Sequence, residues 1–327
     1  MLRFFQSIFG SNTTAGSYPE SLVKAAIERA VDGTDPWIRA VSGYKKMLRP
    51  AVVRAFDHVV ALVDGIAPPV EVEPGSYDRD PRLRTFFVSN TDMRNILTSD
   101  RNLAEFQRGQ AVDLLKVYAL LAIEKQEKII LDAELSGDIV QHDIPQIIVS
   151  FEAHRLIDPA INEYETRHKL KRRAFDHLLS IALRRITMVK TERKKLELHR
   201  ELLQSKLNLL HCEGWGFGKT VPSEILEVAD VEDLLDKTET QLLALGGDDR
   251  MLEVYLDIVI DVLGRPEEHL WTGKESLTVD RMGIKRSQAG SDLQEVTLDT
   301  IFDDEGRSLV FSLVAIPVEA IKGSDRA

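Results

Sequence analysis

At 327 residues, with 43% hydrophobic and 29% charged side chains, the chain has the composition of a globular protein with length for one to three cores, not of a disordered or fibrous one. A formal charge of −11 argues against indiscriminate nucleic-acid binding by the whole surface. The single cysteine, Cys212, excludes an intrachain disulfide and any multi-cysteine zinc or iron–sulfur site.

Residues 1–10 (MLRFFQSIFG) form a short amphipathic unit, with Leu2, Phe5 and Phe9 on one helical face and Phe4 and Ile8 beside them. This is the pattern of an interfacial anchor, or of a segment docking on a partner or on the chain's own core. It lacks the long apolar core and cleavage site of a secretory signal. No stretch approaches the ~20 apolar residues of a membrane-spanning helix. The expectation is a cytoplasmic protein, peripheral to a membrane if the anchor is used.

Helical pattern follows. Pro19 to Val31 reads as a helix with Ser17 as its cap. A second opens at Asp35-Pro36 and runs through Trp37, Ile38, Val41 and Met47 to Pro50, which should kink it or start a new one. From there the predicted buried face to Asp64 is Val53, Phe56, Val60 and Val63. Proline-rich residues 66–82 read as a long connection, and weak helical pattern returns from Leu83 to Gln107.

The period then changes to that of strands. VYALLAIE (117–124), KIILDAEL (128–135) and IIVSFEAH (147–154) predict three short antiparallel strands, turning at KQE and SGD. A second strand group lies near the C-terminus: 277–285, 293–301 and 308–316, the last two joined by a turn at DDEGR. Because a three-stranded sheet alone cannot cover its apolar face, the two groups are expected to join into one sheet.

Between them runs the stretch that dominates the sequence. Ala160 to Glu213 contains no Gly or Pro, and between Arg167 and Lys206 it carries 13 Lys/Arg against 4 Asp/Glu. Phe175, Ala182, Val189, Leu196, Leu203 and Leu210 recur at seven-residue spacing, the pattern of a coiled-coil seam. The companion row (Leu179, Ile186, Arg193, Arg200, Leu207) is apolar at its ends and basic in its middle. Residues 223–249 hold nine Asp/Glu against one Lys, with Ile225, Val228, Val231, Leu235 and Leu242 on one face. Folding this acidic segment back on the basic one would neutralise both, whereas Lys194 and Lys195 with their neighbours on a free face would await phosphates of nucleic acid or lipid. The helix is poor in aromatics for stacking bases, which favours the first. One repeat, RAFDH, occurs at 54–58 and 173–177.

Constellations for chemistry are weak. EGWGFGKT (213–220) misplaces the first glycine of a phosphate-binding loop and follows a helix rather than a strand. His211 and Cys212 are adjacent on a helix and diverge. Glu165 and His168 form one Glu-x-x-His pair where a di-iron bundle needs two. His142-Asp143, Glu152 and His154 lie in the strand region without an assignable role.

The sequence thus predicts an α+β, predominantly helical fold: a long coiled-coil-like helical hairpin with an antiparallel sheet built from two separated strand groups. The divisions are an amphipathic segment and linker (1–17), a helical region (18–107), a strand meander (108–158), the basic and acidic helices (159–266), and C-terminal strands and tail (267–327). The expected function is a non-enzymatic scaffold or adaptor, self-associating through the heptad helix, with Phe175, Ala182, Val189, Leu196, Leu203, Leu210, Arg193, Arg200, Lys194 and Lys195 as the interaction set. The alternatives are docking on an anionic membrane through Leu2, Phe4, Phe5, Ile8 and Phe9 with the basic helix, and an enzyme whose site only the fold assembles. No cofactor, metal or small-molecule ligand is assigned.

Overall fold

The structure is a computed structural model that describes residues 18–109, 114–136, 139–211, 222–247, 250–280, 283–286 and 294–321. In chain order the elements are α1 (Glu20–Gly33), a 3-10 turn (Pro36–Ala40), α2 (Tyr44–Asp64), β1 (Val70–Glu71), α3 (Pro74–Tyr77), α4 (Pro81–Phe86), α5 (Asn90–Ser99) and α6 (Arg101–Arg108). There follow β2 (Lys116–Ser136), β3 (Ile139–Ala160), α7 (Glu163–His211), α8 (Pro222–Ala244), α9 (Met251–Gly264), β4 (Leu270–Val279), β5 (Gln294–Asp303), β6 (Ser308–Pro317) and a terminal turn (Val318–Ile321). The fold is α+β and mostly helical, and its residues divide into two compact units.

The first unit (Phe56–Phe175 with the chain from Pro266 onward) is built on one six-stranded sheet of order β3-β2-β6-β5-β4. The two strand groups join where β2 pairs antiparallel with β6, from Lys116↔Pro317 to Ile123↔Val310. β1 adds a short parallel pair to β6, Val70↔Val314 and Glu71↔Ala315. Apart from Ser308 and Ser312, β6 is apolar on both of its faces because both are covered. Val310, Val314 and Ile316 join one core with Leu83, Phe86, Phe87, Met93, Leu97 and Leu103 of α4–α6. Phe311 and Leu313 point the other way, into a cluster with Val63, Ile66 and Leu170.

The first strand group differs from expectation. It is two strands rather than three, paired over almost their whole length from Tyr118↔Ala160 to Ser136↔Ile139. The KQE segment lies inside β2, where Lys125 forms an ion pair with Glu275 at 2.7 Å and Lys285 reaches Glu127 at 3.2 Å. These partners are distant in sequence, and they supply what the polar run lacks in propensity. β4 begins at Leu270, seven residues before the predicted strand; its weak point, Gly273, is covered by the Phe302 ring, 3.1 Å from where a Cβ would stand. Residues 284 and 285 make only isolated bridges.

The second unit (among the described residues, 18–55 with Asp176–Arg265) is helical. Leu22, Ala26, Ile27, Ala30 and Val31 of α1 are buried, as are Ile38 of the turn, Leu48, Val52 and Ala55 of α2, and Leu256, Val259, Val262 and Leu263 of α9. Each large apolar side chain so buried stabilises by about 1.5–3 kcal/mol. The buried row of α2 includes Val52 and Val59 rather than the predicted Val53 and Val60. Two Val-Val pairs make either register equally apolar, and only packing chooses. Pro50 lies inside α2, which starts at Tyr44 after a left-handed Gly43 (φ 76°). What precedes it is not a helix running through Met47 but the 3-10 turn, begun by Asp35, whose carboxylate accepts from the Trp37 amide at 2.9 Å. The same carboxylate holds Lys190 at 2.5 Å.

Candidate functional site

The long helix α7 is the chain's most distinctive surface, and its two halves are built differently. At its start Asn162 accepts from the Glu165 amide at 2.8 Å, satisfying one orphan donor of the first turn. Thr166 donates to the Tyr118 carbonyl of β2 at 3.0 Å, and Arg167 donates to the carbonyls of Val63 (2.7 Å) and Ile66 (3.0 Å) where α2 ends. A cation there also favours the negative end of that helix. Leu170, Ala174, Phe175, Leu178, Leu179, Ile181, Ala182 and Ile186 are all buried. The RAFDH repeat takes physical form at this point: Phe56 and Phe175, the aromatic of each copy, pack with ring centroids 5.2 Å apart.

Beyond Ile186 the burial thins to a single line. Leu203 is buried, while Val189, Arg193, Leu196, Arg200, Leu207 and Leu210 are half-buried, at alternating spacings of three and four. On α8 the corresponding line is Val228, Val231, Leu235, Thr238, Leu242 and Leu245, with Val231, Thr238 and Leu242 buried; the side chain of the predicted Ile225 is outside the described residues. Thr238 is tolerated in that line because its hydroxyl donates to the Leu234 carbonyl at 2.8 Å. Arg193 donates to Glu197 at 2.8 Å and to the Gly246 carbonyl at 2.6 Å, at the end of α8. Gly246 has φ 113°, a conformation open to glycine and costly for other residues. Arg193, Glu197 and Arg200 with Glu239, Leu242, Leu243, Gly246 and Gly247 line a cleft of about 220 Å³.

The interaction set read from the sequence is divided among buried, half-buried and exposed positions, Lys194 and Lys195 being exposed. Phe175, Ala182 and Leu203 are buried, and Val189, Leu196, Leu210, Arg193 and Arg200 are half-buried. A seven-residue row marks a contact but does not tell an internal contact from an external one. The surface that is open was missed: Leu198, Leu202 and Leu209 are 58%, 61% and 74% exposed. At spacings of four and seven they share one side of α7, roughly 140° around the helix from the Leu203 line. Lys194 and Lys206 flank them on the exposed surface and make no ion pair among the described residues. The signal that could have found this row is a second, half-polar heptad of Met188, Thr191, Lys195, Leu198, Leu202, Ser205 and Leu209.

The positive charge of α7 is partly neutralised, among the described residues by carboxylates of α7 itself and of other elements. Arg173 pairs with Asp158 (2.7 Å), Lys171 with Asp64 (2.8 Å), Lys169 with Glu165 (3.2 Å), Arg185 with Asp261 (3.2 Å) and Lys195 with Glu192 (3.6 Å). Exposed Glu232, Asp236 and Glu239 of α8 make no ion pair among the described residues.

Of the histidines read as candidate chemistry, His154 and His168 are held within the packing. His154 stacks on Phe87 (4.9 Å between centroids) and donates through Nε2 to the Phe86 carbonyl at 2.7 Å. Its burial holds the imidazole below its ordinary pKa of 6.5. Burial likewise lowers His168, aided by nearby Lys171, and Glu165 is taken up by Lys169. Glu152 lies against Ser150 at 3.2 Å. Among the described residues no three His, Cys, Asp or Glu side chains gather as a metal site, and no helix is long and apolar enough to cross a membrane. The amphipathic segment with Leu2, Phe4, Phe5, Ile8 and Phe9, the glycine-rich 213–220, Cys212 and the His142 side chain lie outside the described residues. Set against known proteins, the chain matches no family model, no curated protein and no solved structure.

Proposed function

We propose that the protein is a scaffold that self-associates through the outer side of α7, the distal half of which forms a coiled-coil-like hairpin with α8. The observation that carries this is the row of Leu198, Leu202 and Leu209, three large apolar side chains more than half exposed on one side of a helix. Scattered exposed leucines are ordinary, but aligned ones on a helix mark a contact surface. Support for the hairpin comes from the matching three-and-four spacing of the half-buried lines of α7 and α8, and from Arg193 bound to the Gly246 carbonyl. A second copy is the favoured occupant because the chain itself carries the complementary charge: the basic flank of α7, and Glu232, Asp236 and Glu239 of α8, which make no ion pair among the described residues.

The test is light scattering with sedimentation velocity on the full chain and on a Leu198→Ser/Leu202→Ser/Leu209→Ser variant. The wild type is expected above monomer mass, and the variant at monomer mass with an unchanged circular-dichroism melt. A strictly monomeric wild type at high concentration, or a variant that associates like the wild type, overturns the reading. A monomeric wild type that sediments with anionic vesicles would transfer the row to a lipid surface.

A further inference from the structure

We infer that the element received by the outer row of α7 is the acidic helix α8 of a second copy. This rests on the self-association reading and names the contact within it. Both surfaces carry a seven-residue repeat: Met188, Thr191, Lys195, Leu198, Leu202, Ser205 and Leu209 on α7, and Ala229, Glu232, Asp236, Glu239 and Leu243 on α8. Repeats of this kind keep two rows in register over several turns, with side chains of one helix entering the spaces of the other. At ~1.5 Å per residue the α7 row from Met188 to Leu209 is about 33 Å long and the α8 row from Ala229 to Leu243 about 22 Å, so the shorter row fits within the longer one.

The charges match in the same way. Lys194 and Lys206 stand on either side of the leucines, and Glu232, Asp236 and Glu239 form a line between Ala229 and the exposed Leu243. None of these five charged groups makes an ion pair among the described residues. Among the described residues no ion pair has to be given up for them to meet a partner. Two aligned acidic rows, or two basic ones, would repel; α7 against α8 brings opposite signs together and buries the leucines between them. A lysine–carboxylate rim sets orientation and partner choice, while the leucines supply the affinity.

The experiment is a charge-swap exchange in the full-length chain. One variant carries Lys194→Glu/Lys206→Glu; the other carries Glu232→Lys/Asp236→Lys, sparing Glu239, which lines the cleft beside Arg193. Each alone is expected to self-associate at least ~tenfold more weakly than wild type, and an equimolar mixture to recover wild-type association. Recovery by mixing also shows that both variants are folded. Variants that associate like the wild type, or a mixture that stays as weak as its components, overturn the assignment to α8. Either result leaves the self-association reading intact if the leucine variant remains monomeric. If that variant associates normally, the reading itself fails.

Discussion

Two long elements, the β2–β3 ribbon and α7, are each rooted in a core and run on past it, and they end in different ways. Near its root the ribbon buries Val117, Ala119, Leu121 and Ile123; further out Ile129 and Leu131 are 75% and 67% exposed. A ribbon cannot stand on one strand's hydrogen bonds, so its outer part depends on cross-strand pairing and on a brace. That brace is the 283–285 segment, where the Val149 amide donates to Gly283 (2.9 Å) and the Lys285 amide to Ile147 (2.8 Å). The helix satisfies its backbone internally and needs only one side-chain line to hold it. Its opposite side is left open, and the leucines collect there. The proposed contact therefore lies where an element is self-sufficient and still apolar, not where charge is densest.

The sharpest way to break this contrast is to compare root and tip of the same helix. Phe175→Ala, at a buried ring packed on Phe56, is expected to cost about 3–5 kcal/mol in urea unfolding. Leu202→Ala at the tip should stay within ~0.5 kcal/mol. Equal losses would mean that the tip is part of the core. A smaller effect tests how the second unit is held at Asp35. Asp35→Ala removes the acceptor of both the Trp37 amide and Lys190 and should cost about 2 kcal/mol in a thermal melt. Asp35→Asn, which keeps an acceptor for the amide, should cost less.

The smallest effect is a pH dependence of the ribbon side. The His154 pKa is lowered in the folded chain by burial, so the unfolded chain takes up its proton first as pH falls. Stability from this group is complete above pH 6.5 and is lost as pH falls through the lowered folded value. Denaturant midpoints between pH 7 and 5 should fall less steeply in His154→Gln; identical slopes would remove His154 as the cause.

Much of the architecture could be read before the coordinates. The helix of 160–213 appears as Glu163–His211, and β5 and β6 fall within three residues of their predicted bounds. These elements declare themselves by local pattern: an unbroken 3.6 period, or apolar runs flanked by turns. What failed depended on distant residues. Lys125 and Glu127 stay in β2 because of Glu275 and Lys285, and the turn at Asp35 is secured by Lys190. The candidate surface was half legible: the heptad picked out α7, whose apolar row is buried or half-buried within the chain, while the exposed leucines stand on another side of the helix.

The uninterrupted length of α7 has a mechanical consequence. From Ile186, where the densely buried part of the helix ends, to Leu209 the helix runs roughly 35 Å at ~1.5 Å per residue. A tilt of ~5° at Ile186, of the size that repacking a few side chains allows, would carry Leu209 through about 3 Å. The tip thus acts as a pointer that magnifies changes at its base, and a partner bound at Leu198, Leu202 and Leu209, as proposed, would sense or impose the packing around Ile186.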